Sequence, residues 1–311
     1  MRLRHRLSVL ALSGSVLFGP LGCVGAQTER IIASHGALPV SAEIRRVPFY
    51  PQEQYYCGPA SLAMALAWSG LSLTPDEIAQ QVYTPGRQGT FAPDIVAAAR
   101  RNGRLAVEVR ELDDLLTELA AGHPAIVFQN LRLSVFPQWH FAVAIGYDLN
   151  ERQLILRSGT TERMVMPLDA FENTWRRAEY WALVVLPPND APATPNPAPW
   201  LDAAAGLERS NRPQEAQLAY ETFLGRWPQN RAAQMGRANA LFALNRFDRA
   251  EQAYKDIVAG DPTMAEAWNN LAYALYRQGK REEAMRAAER AVAIGGTRAA
   301  DYADTLKDVS R

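Results

Sequence analysis

Two side chains in this sequence are of a type and placement to carry out thiol chemistry: Cys57 and His140. From Ala60 to Trp68 the residues are strong helix formers and almost wholly apolar, which predicts a helix buried on all sides. Gly58-Pro59 sets its first turn, where proline costs little because its missing N–H would be unsatisfied anyway. Cys57 therefore stands at the mouth of a helix, where free N–H groups and the helix dipole favour a thiolate. A thiolate nucleophile needs a base. His140 lies in the run Trp139 to Ile145, whose alternation predicts a strand, with Gly146 read as the break into a hairpin. A histidine at the start of a rigid strand can face a helix mouth across a cleft. Singly, a buried cysteine or a strand histidine is usually structural; in combination they define a nucleophile and its proton acceptor.

The elements that must position this pair follow from pattern. Further strands are expected at Gln153 to Arg157, after the Asp148-Leu149-Asn150-Glu151 turn, and at Trp181 to Leu186. Thr74-Pro75-Asp76-Glu77-Ile78 reads as a helix. His123, in a Gly-His-Pro loop, and His35 read as solvated side chains. Tyr55 and Tyr56 read as cleft or core residues, and Ser61 as bonding to the backbone.

The order Gln52, then Cys57-Gly58-Pro59-Ala60-Ser61-Leu62, then His140-Phe141-Ala142-Val143-Ala144-Ile145-Gly146 about eighty residues later resembles the bacteriocin-processing, double-glycine leader peptidases of papain-like fold. The resemblance implies an α+β papain-like cysteine peptidase domain over residues 45–187. It makes Cys57 the nucleophile, His140 the general base and acid, and Gln52 the oxyanion donor, with Gln54 the less fitting substitute. The family's third triad member is an Asp followed by Pro; here the aligned residues are Ser158-Gly159, preceded by Arg157. Ser158 is the candidate for that position, while Asp148 and Glu162 lie near in sequence without a geometric reason for promotion.

Composition narrows the class. The 33 basic and 33 acidic side chains cancel, so there is no electrostatic footprint for nucleic acid. Two cysteines and four scattered histidines offer neither a disulfide framework nor a zinc-ligand cluster, and no metal or other cofactor is expected. No G-x-x-x-x-G-K-[ST] loop occurs, so ATP is not an expected ligand, and no spanning bundle follows, so the chain is not the export transporter to which such peptidases are often fused.

Both ends of the chain add recognition rather than chemistry. Residues 1–26 begin with Arg2, Arg4 and Arg6, continue through a short apolar run and end in small residues, the pattern of an export signal. Leu21-Gly22-Cys23 resembles the lipobox of bacterial lipoproteins, which implies lipidation at Cys23; the alternative is cleavage after Ala26. Either outcome places the chain outside the cytoplasm, at the periplasmic face of the cell envelope if it is anchored. Residues 27–44 read as a lead-in linker.

The six prolines of residues 187–199 mark a domain boundary, with 188–199 as a semi-rigid linker. Beyond it, an offset of 34 superposes Ala216, Ala250 and Ala284, then Tyr220, Tyr254 and Ala288, then Phe223, Ile257 and Ala291, and also Trp200 and, two periods on, Trp268. This resembles tetratricopeptide repeats and implies an all-α domain over residues 200–311, about three units and a capping helix at Tyr302 to Val309. Such domains hold a protein or peptide in a groove. The combined expectation is an exported, lipid-anchored cysteine peptidase whose repeats recruit substrate or partner. A thiol-dependent acyl transfer, for which the Cys-Gly-Pro-Ala-Ser-Leu start resembles phytochelatin synthases, and a non-catalytic envelope scaffold are the competing readings.

Overall fold

The computed structural model describes residues 25–52, 56–84, 86 and 89–311. Cys23, the rest of the 1–24 segment and Gln54 lie outside the described residues. The N-terminal part is an α+β unit built on an antiparallel sheet, and a helical repeat array follows it.

The order is α1 (Ala26–Ala33), β1 (Ser41–Glu43), α2 (Cys57–Trp68), α3 (Pro75–Val82), α4 (Ala92–Arg101), β2 (Leu105–Val109), α5 (Leu112–Ala120), β3 (Ala125–Asn130), β4 (Trp139–Asp148), β5 (Gln153–Ser158), β6 (Thr161–Pro167), α6 (Leu168–Arg176) and β7 (Ala182–Leu186). In the sheet the strands lie in the order β2-β7-β3-β4-β5-β6. The long strand β4 is its centre. β3 pairs with it from Trp139 to Ala144, β1 takes over at Gly146 to Asp148, and β5 covers its other edge. Gly146 is thus not a strand break. It sits at a register shift against β5, and a side-chain carbon there would stand 2.4 Å from the Ala42 carbonyl oxygen, so only glycine admits β1 at this point.

Helix α2 has no polar face to offer water: Leu62, Ala63, Met64 and Leu66 are fully buried. A helix of this composition is stable only when enclosed, and it is, with the sheet on one side and α3 and α4 on the other. α3 opens with a reciprocal capping box between Thr74 and Glu77.

The lead-in expected as linker is folded. The first N–H groups of α1 have no intrahelical partner, and carboxylates from α6 supply one: Glu172 accepts from Gln27 and Thr28 at 3.0 and 2.7 Å, and Asp169 from Gly25 at 3.2 Å. β1 then joins the sheet. His123 is likewise not a solvated side chain; its Nδ1 is 2.6 Å from the buried Glu118 carboxylate and its ring lies edge-on to Trp68. His35 Nδ1 meets the Leu38 carbonyl at 3.0 Å.

The repeat array comprises α7 (Pro197–Arg209), α8 (Pro213–Arg226), α9 (Arg231–Ala243), α10 (Phe247–Gly260), α11 (Ala265–Tyr276), α12 (Arg281–Ile294) and the final α13 (Ala299–Val309). The alanines superposed by the 34-residue offset are fully buried, allowing paired helices to approach closely. α7 begins at Pro197, inside the proline segment, with Asn196 capping it. That segment is not a spacer holding two bodies apart. Thr194 is buried and donates its N–H to Glu118 at 2.9 Å, and Trp200, Ala203, Leu207, Tyr220 and Phe223 join one apolar core with the sheet. Helix α9 contributes to two cores, Ala233 and Ala240 to this one and Met235, Ala238 and Leu241 to a second that continues into α10, α11 and α12.

Candidate active site

Cys57 opens α2 and is half-buried. Gly58, next in the helix, lies against Thr90, so the approach to α4 passes directly over the helix mouth; a side-chain carbon at position 58 would come within 2.8 Å of that threonine. Helix α2 packs on β4, and the backbone N–H groups of Phe141, Gly58 and Cys57 surround the Cys57 sulfur. The fold therefore brings the thiol to the residue immediately after His140.

The sequence leads one to expect that the helix mouth lowers the thiol pKa. The N–H groups do act in that direction, but burial outweighs them and the net effect pushes the Cys57 thiol up. Burial also pushes His140 down. Both effects disfavour charge, so burial favours the neutral thiol and the neutral imidazole alike.

His140 stands across from Gln129 near the start of β4. Its Nε2 is 2.8 Å from the Ser158 hydroxyl oxygen at the end of β5. With Nε2 as donor, Nδ1 is the basic nitrogen left to receive a proton. Ser158 thus fills the orienting position without contributing charge. Neither nearby carboxylate replaces it. Asp148 accepts from the Glu151 N–H, while Glu162 is solvent-exposed and paired with Arg157 at 3.3 Å. Arg157 is buried and ties β5 to the approach of the site by donating to the Val47 carbonyl at 3.0 Å.

Gln52 is buried and fixed at both ends of its amide. Its Oε1 accepts from the Gly159 N–H at 3.0 Å, and its backbone N–H donates to the Gly159 carbonyl at 2.9 Å. Its Nε2 donates to Ser61 at 3.2 Å, so Ser61 serves this amide rather than the backbone. An amide nitrogen carries two protons, and the second is the one an oxyanion would take. Gly159, which sequence reasoning passed over as a functional residue, latches the Gln52 loop to the turn after Ser158. Its φ of 57° falls where glycine carries no penalty, and that positive-φ demand was a signal readable from the Ser-Gly pair. Among the described residues no group of His, Cys, Asp and Glu could hold a metal ion, and no helix is long and apolar enough to cross a membrane.

Residues 44–183 match the model of the Peptidase_C39 like family, and residues 201–265 and 239–303 match that of the tetratricopeptide repeat. Among solved structures, a C39-like peptidase of Bacillus anthracis is 18% identical over 47% of this chain and 97% of its own, with a TM-score of 0.41. The peptidase domain of Streptococcus ComA, a bifunctional ABC transporter involved in quorum sensing, is 23% identical over 46% of this chain and 99% of its own, with a TM-score of 0.39. The first tetratricopeptide domain of human RPAP3 is 22% identical over 37% of this chain and 89% of its own, at 0.34. No curated protein matches the chain.

Proposed function

Because residues 44–183 form a Peptidase_C39-like domain and tetratricopeptide repeats follow it, we propose that this protein is a cysteine peptidase whose repeats engage a protein substrate or partner. The observation that supports the reading is that α2, which Cys57 opens, packs against β4, which carries His140, while Ser158 at the end of β5 lies 2.8 Å from His140 Nε2.

In this reading the resting pair is neutral and the proton moves as the bond forms. The thiol of Cys57 adds to the scissile carbonyl carbon while His140 Nδ1 takes its proton. The carbonyl oxygen becomes an oxyanion held by the Cys57 N–H and the second proton of Gln52 Nε2. The imidazolium returns its proton to the leaving amine, and water activated by the neutral imidazole then releases the acyl group. Ser158 keeps the ring and tautomer in place; a neutral acceptor stabilises the imidazolium less than a carboxylate would.

We also assign the chain to the cell envelope, anchored through Cys23. The support is the basic start of the sequence, Leu21-Gly22-Cys23, and the seat of Gly25 on Asp169. With Val24 alone between them, a lipid on Cys23 would hold the peptidase-like unit close against a membrane. Fatty-acid labelling that is lost in Cys23→Ser tests this assignment, and labelling retained in that variant refutes it.

The test of activity is cleavage of a protein substrate by the full chain, with iodoacetamide sensitivity and with Cys57→Ala. Loss of cleavage in that variant is expected; turnover equal to the parent overturns the reading. That a hydroxyl, Ser158, stands at His140 Nε2 favours one competitor, a non-catalytic scaffold. Cys57 labelling no faster than a free thiol across pH 6 to 9, together with no cleavage of any bound protein, would decide for it.

A further inference from the structure

A cavity of about 610 Å³ lies where the sheet unit meets the first repeat helix, within the usual range of ligand clefts. Its floor is aromatic. Phe128 stacks on Trp139 at 5.2 Å between ring centres, with Trp181 edge-on to Phe128, and Trp139 is 51% exposed. One wall is the start of α4, at Ala92, Pro93 and Val96. The opposite wall is α7, through Gly206, Arg209 and Ser210.

The floor and the α4 wall are joined along the chain to the segments of the candidate active site. Trp139 directly precedes His140. Ala92 stands two residues from Thr90, which lies on Gly58 beside Cys57. The lining contains four arginines, Arg100, Arg110, Arg177 and Arg209, against Glu108 and Glu179, with Arg110 paired to Glu108 at 2.9 Å, in a chain that is neutral as a whole. The arginines are held in place. Arg100 lies flat on α7 where Gly206 has no side chain, 2.3 Å from where a carbon would be, and shares Asp202 with Arg209. Arg177 donates to the Asn130 carbonyl, and past it a second hollow is lined by Leu131, Leu133 and Phe136, the last 76% exposed.

We infer that this cleft is a substrate-recognition subsite completed by the repeat domain, and that it takes an extended peptide segment with an apolar or aromatic side chain flanked by carboxylates. The inference rests on the peptidase reading for its role, since the bound segment would belong to the substrate of that reaction. The aromatic floor supplies the apolar contact, the arginine excess supplies the charge complementarity, and α7 makes the specificity depend on the array. A repeat helix thus serves as a wall of the cleft, in addition to any partner its array holds elsewhere.

The experiment uses the full chain carrying Cys57→Ala, so that binding is read without turnover. Two short fluorescein-labelled peptides, one with Glu-Phe-Glu at its centre and one with Lys-Phe-Lys, are titrated by fluorescence anisotropy. The acidic peptide should bind about tenfold more tightly, and Arg209→Glu should erase or reverse that preference. Arg209 is an exposed side chain, so the charge reversal leaves the core intact; the melting temperature verifies this, and Arg286→Glu on the exposed face of α12 serves as the charge control. Trp139→Ala should weaken both peptides. Equal binding of the two peptides, no binding of either, or a preference unmoved by Arg209→Glu in a folded chain overturns the inference. Charge-selective binding with no cleavage by the parent chain would retain the subsite and remove the peptidase reading.

Discussion

The near and far parts of this molecule hold their buried polar groups in opposite ways. In the near part, the sheet unit with α7 and α8, the decisive bonds join residues more than a hundred positions apart: Gln52 to Gly159, Arg157 to Val47, Gln27 and Thr28 to Glu172. In the far part, α9 to α13, the bonds reach about one repeat along the chain: Asn270 to Asn239, Gln278 to Glu251, Thr305 to Tyr273. The first arrangement exists only when the whole unit is assembled. The second is built from nearest-neighbour contacts, as expected of a quasi-one-dimensional stack. The candidate active site combines short links, His140 to Ser158 and Gln52 to Ser61, with long ones, Gln52 to Gly159 and Arg157 to Val47, so its geometry depends on the global fold of the near part.

The boundary between these two regimes is not the proline segment. Trp200, Phe223 and Tyr220 belong to the sheet's core, whereas Leu271 and Ile257 belong to the distal one. Trp200→Ala removes a fully buried indole that packs edge-on against Phe223 and Trp227. It should cost about 3–5 kcal/mol and should loosen the sheet unit although it lies in a repeat helix. Denaturation followed by alkylation of Cys57 reads this directly: the thiol becomes reactive at lower denaturant. If Cys57 protection is unchanged, the shared core is not cooperative.

Leu271→Ala provides the converse. This α11 side chain is nearly fully buried in the distal core, and its loss should cost about 2–5 kcal/mol. Hydrogen exchange should accelerate in α9 to α13 while the amides of α2 and β4 keep their protection. Equal acceleration in both regions would show a single cooperative unit and dissolve the contrast.

The same contrast explains which features the sequence reveals. Repeats are legible because each contact recurs at a fixed offset: the 34-residue spacing locates the buried faces of α8, α10 and α12 without any tertiary knowledge. The Cys57 helix and His140 strand are legible as well, because an unbroken apolar run and an alternating one are local patterns. What failed is whatever depends on a distant partner. α1 starts without a capping side chain of its own, since Glu172 does that from another helix. The proline segment is packed because Glu118 reaches Thr194, and Gly146 is a crossing point only because β1 arrives there. The expected direction of the Cys57 pKa failed for the same reason, because burial is a property of the assembled fold while a helix mouth is local.

Ser158→Asp sharpens the comparison within the near part by placing charge into its network. A carboxylate at the position now 2.8 Å from His140 Nε2 would favour the imidazolium and raise its pKa. The pair then shifts toward thiolate and imidazolium, and alkylation of Cys57 near pH 7 should accelerate about tenfold. Ser158→Ala should instead leave the ring without its partner and slow any turnover. An unchanged alkylation rate in a folded Ser158→Asp chain would show that Ser158 does not communicate with the thiol through His140.

Acid distinguishes the two parts with the smallest effect and the clearest sign. Burial holds the folded-state pKa of His140 below its ordinary value, so the folded form binds fewer protons than the unfolded one; the neutral ring's contribution is complete above about pH 6.5 and is lost as pH falls toward the lowered value. In the far part, burial pushes Glu251 up, but its contacts with Lys255, Lys280 and Gln278 prevail and bring it down to about 2. Its contribution is therefore complete above about pH 4.3 and disappears only as pH falls through that depressed value. Acidification from pH 7 to 5 should weaken the near part first, with α10 to α12 retaining their exchange protection. Glu251→Gln should reduce protection of α10 to α12 at pH 7 and leave that of β4 unchanged. Simultaneous loss in both parts between pH 7 and 5 would mean that acid unfolds the molecule through a coupling that neither core shows.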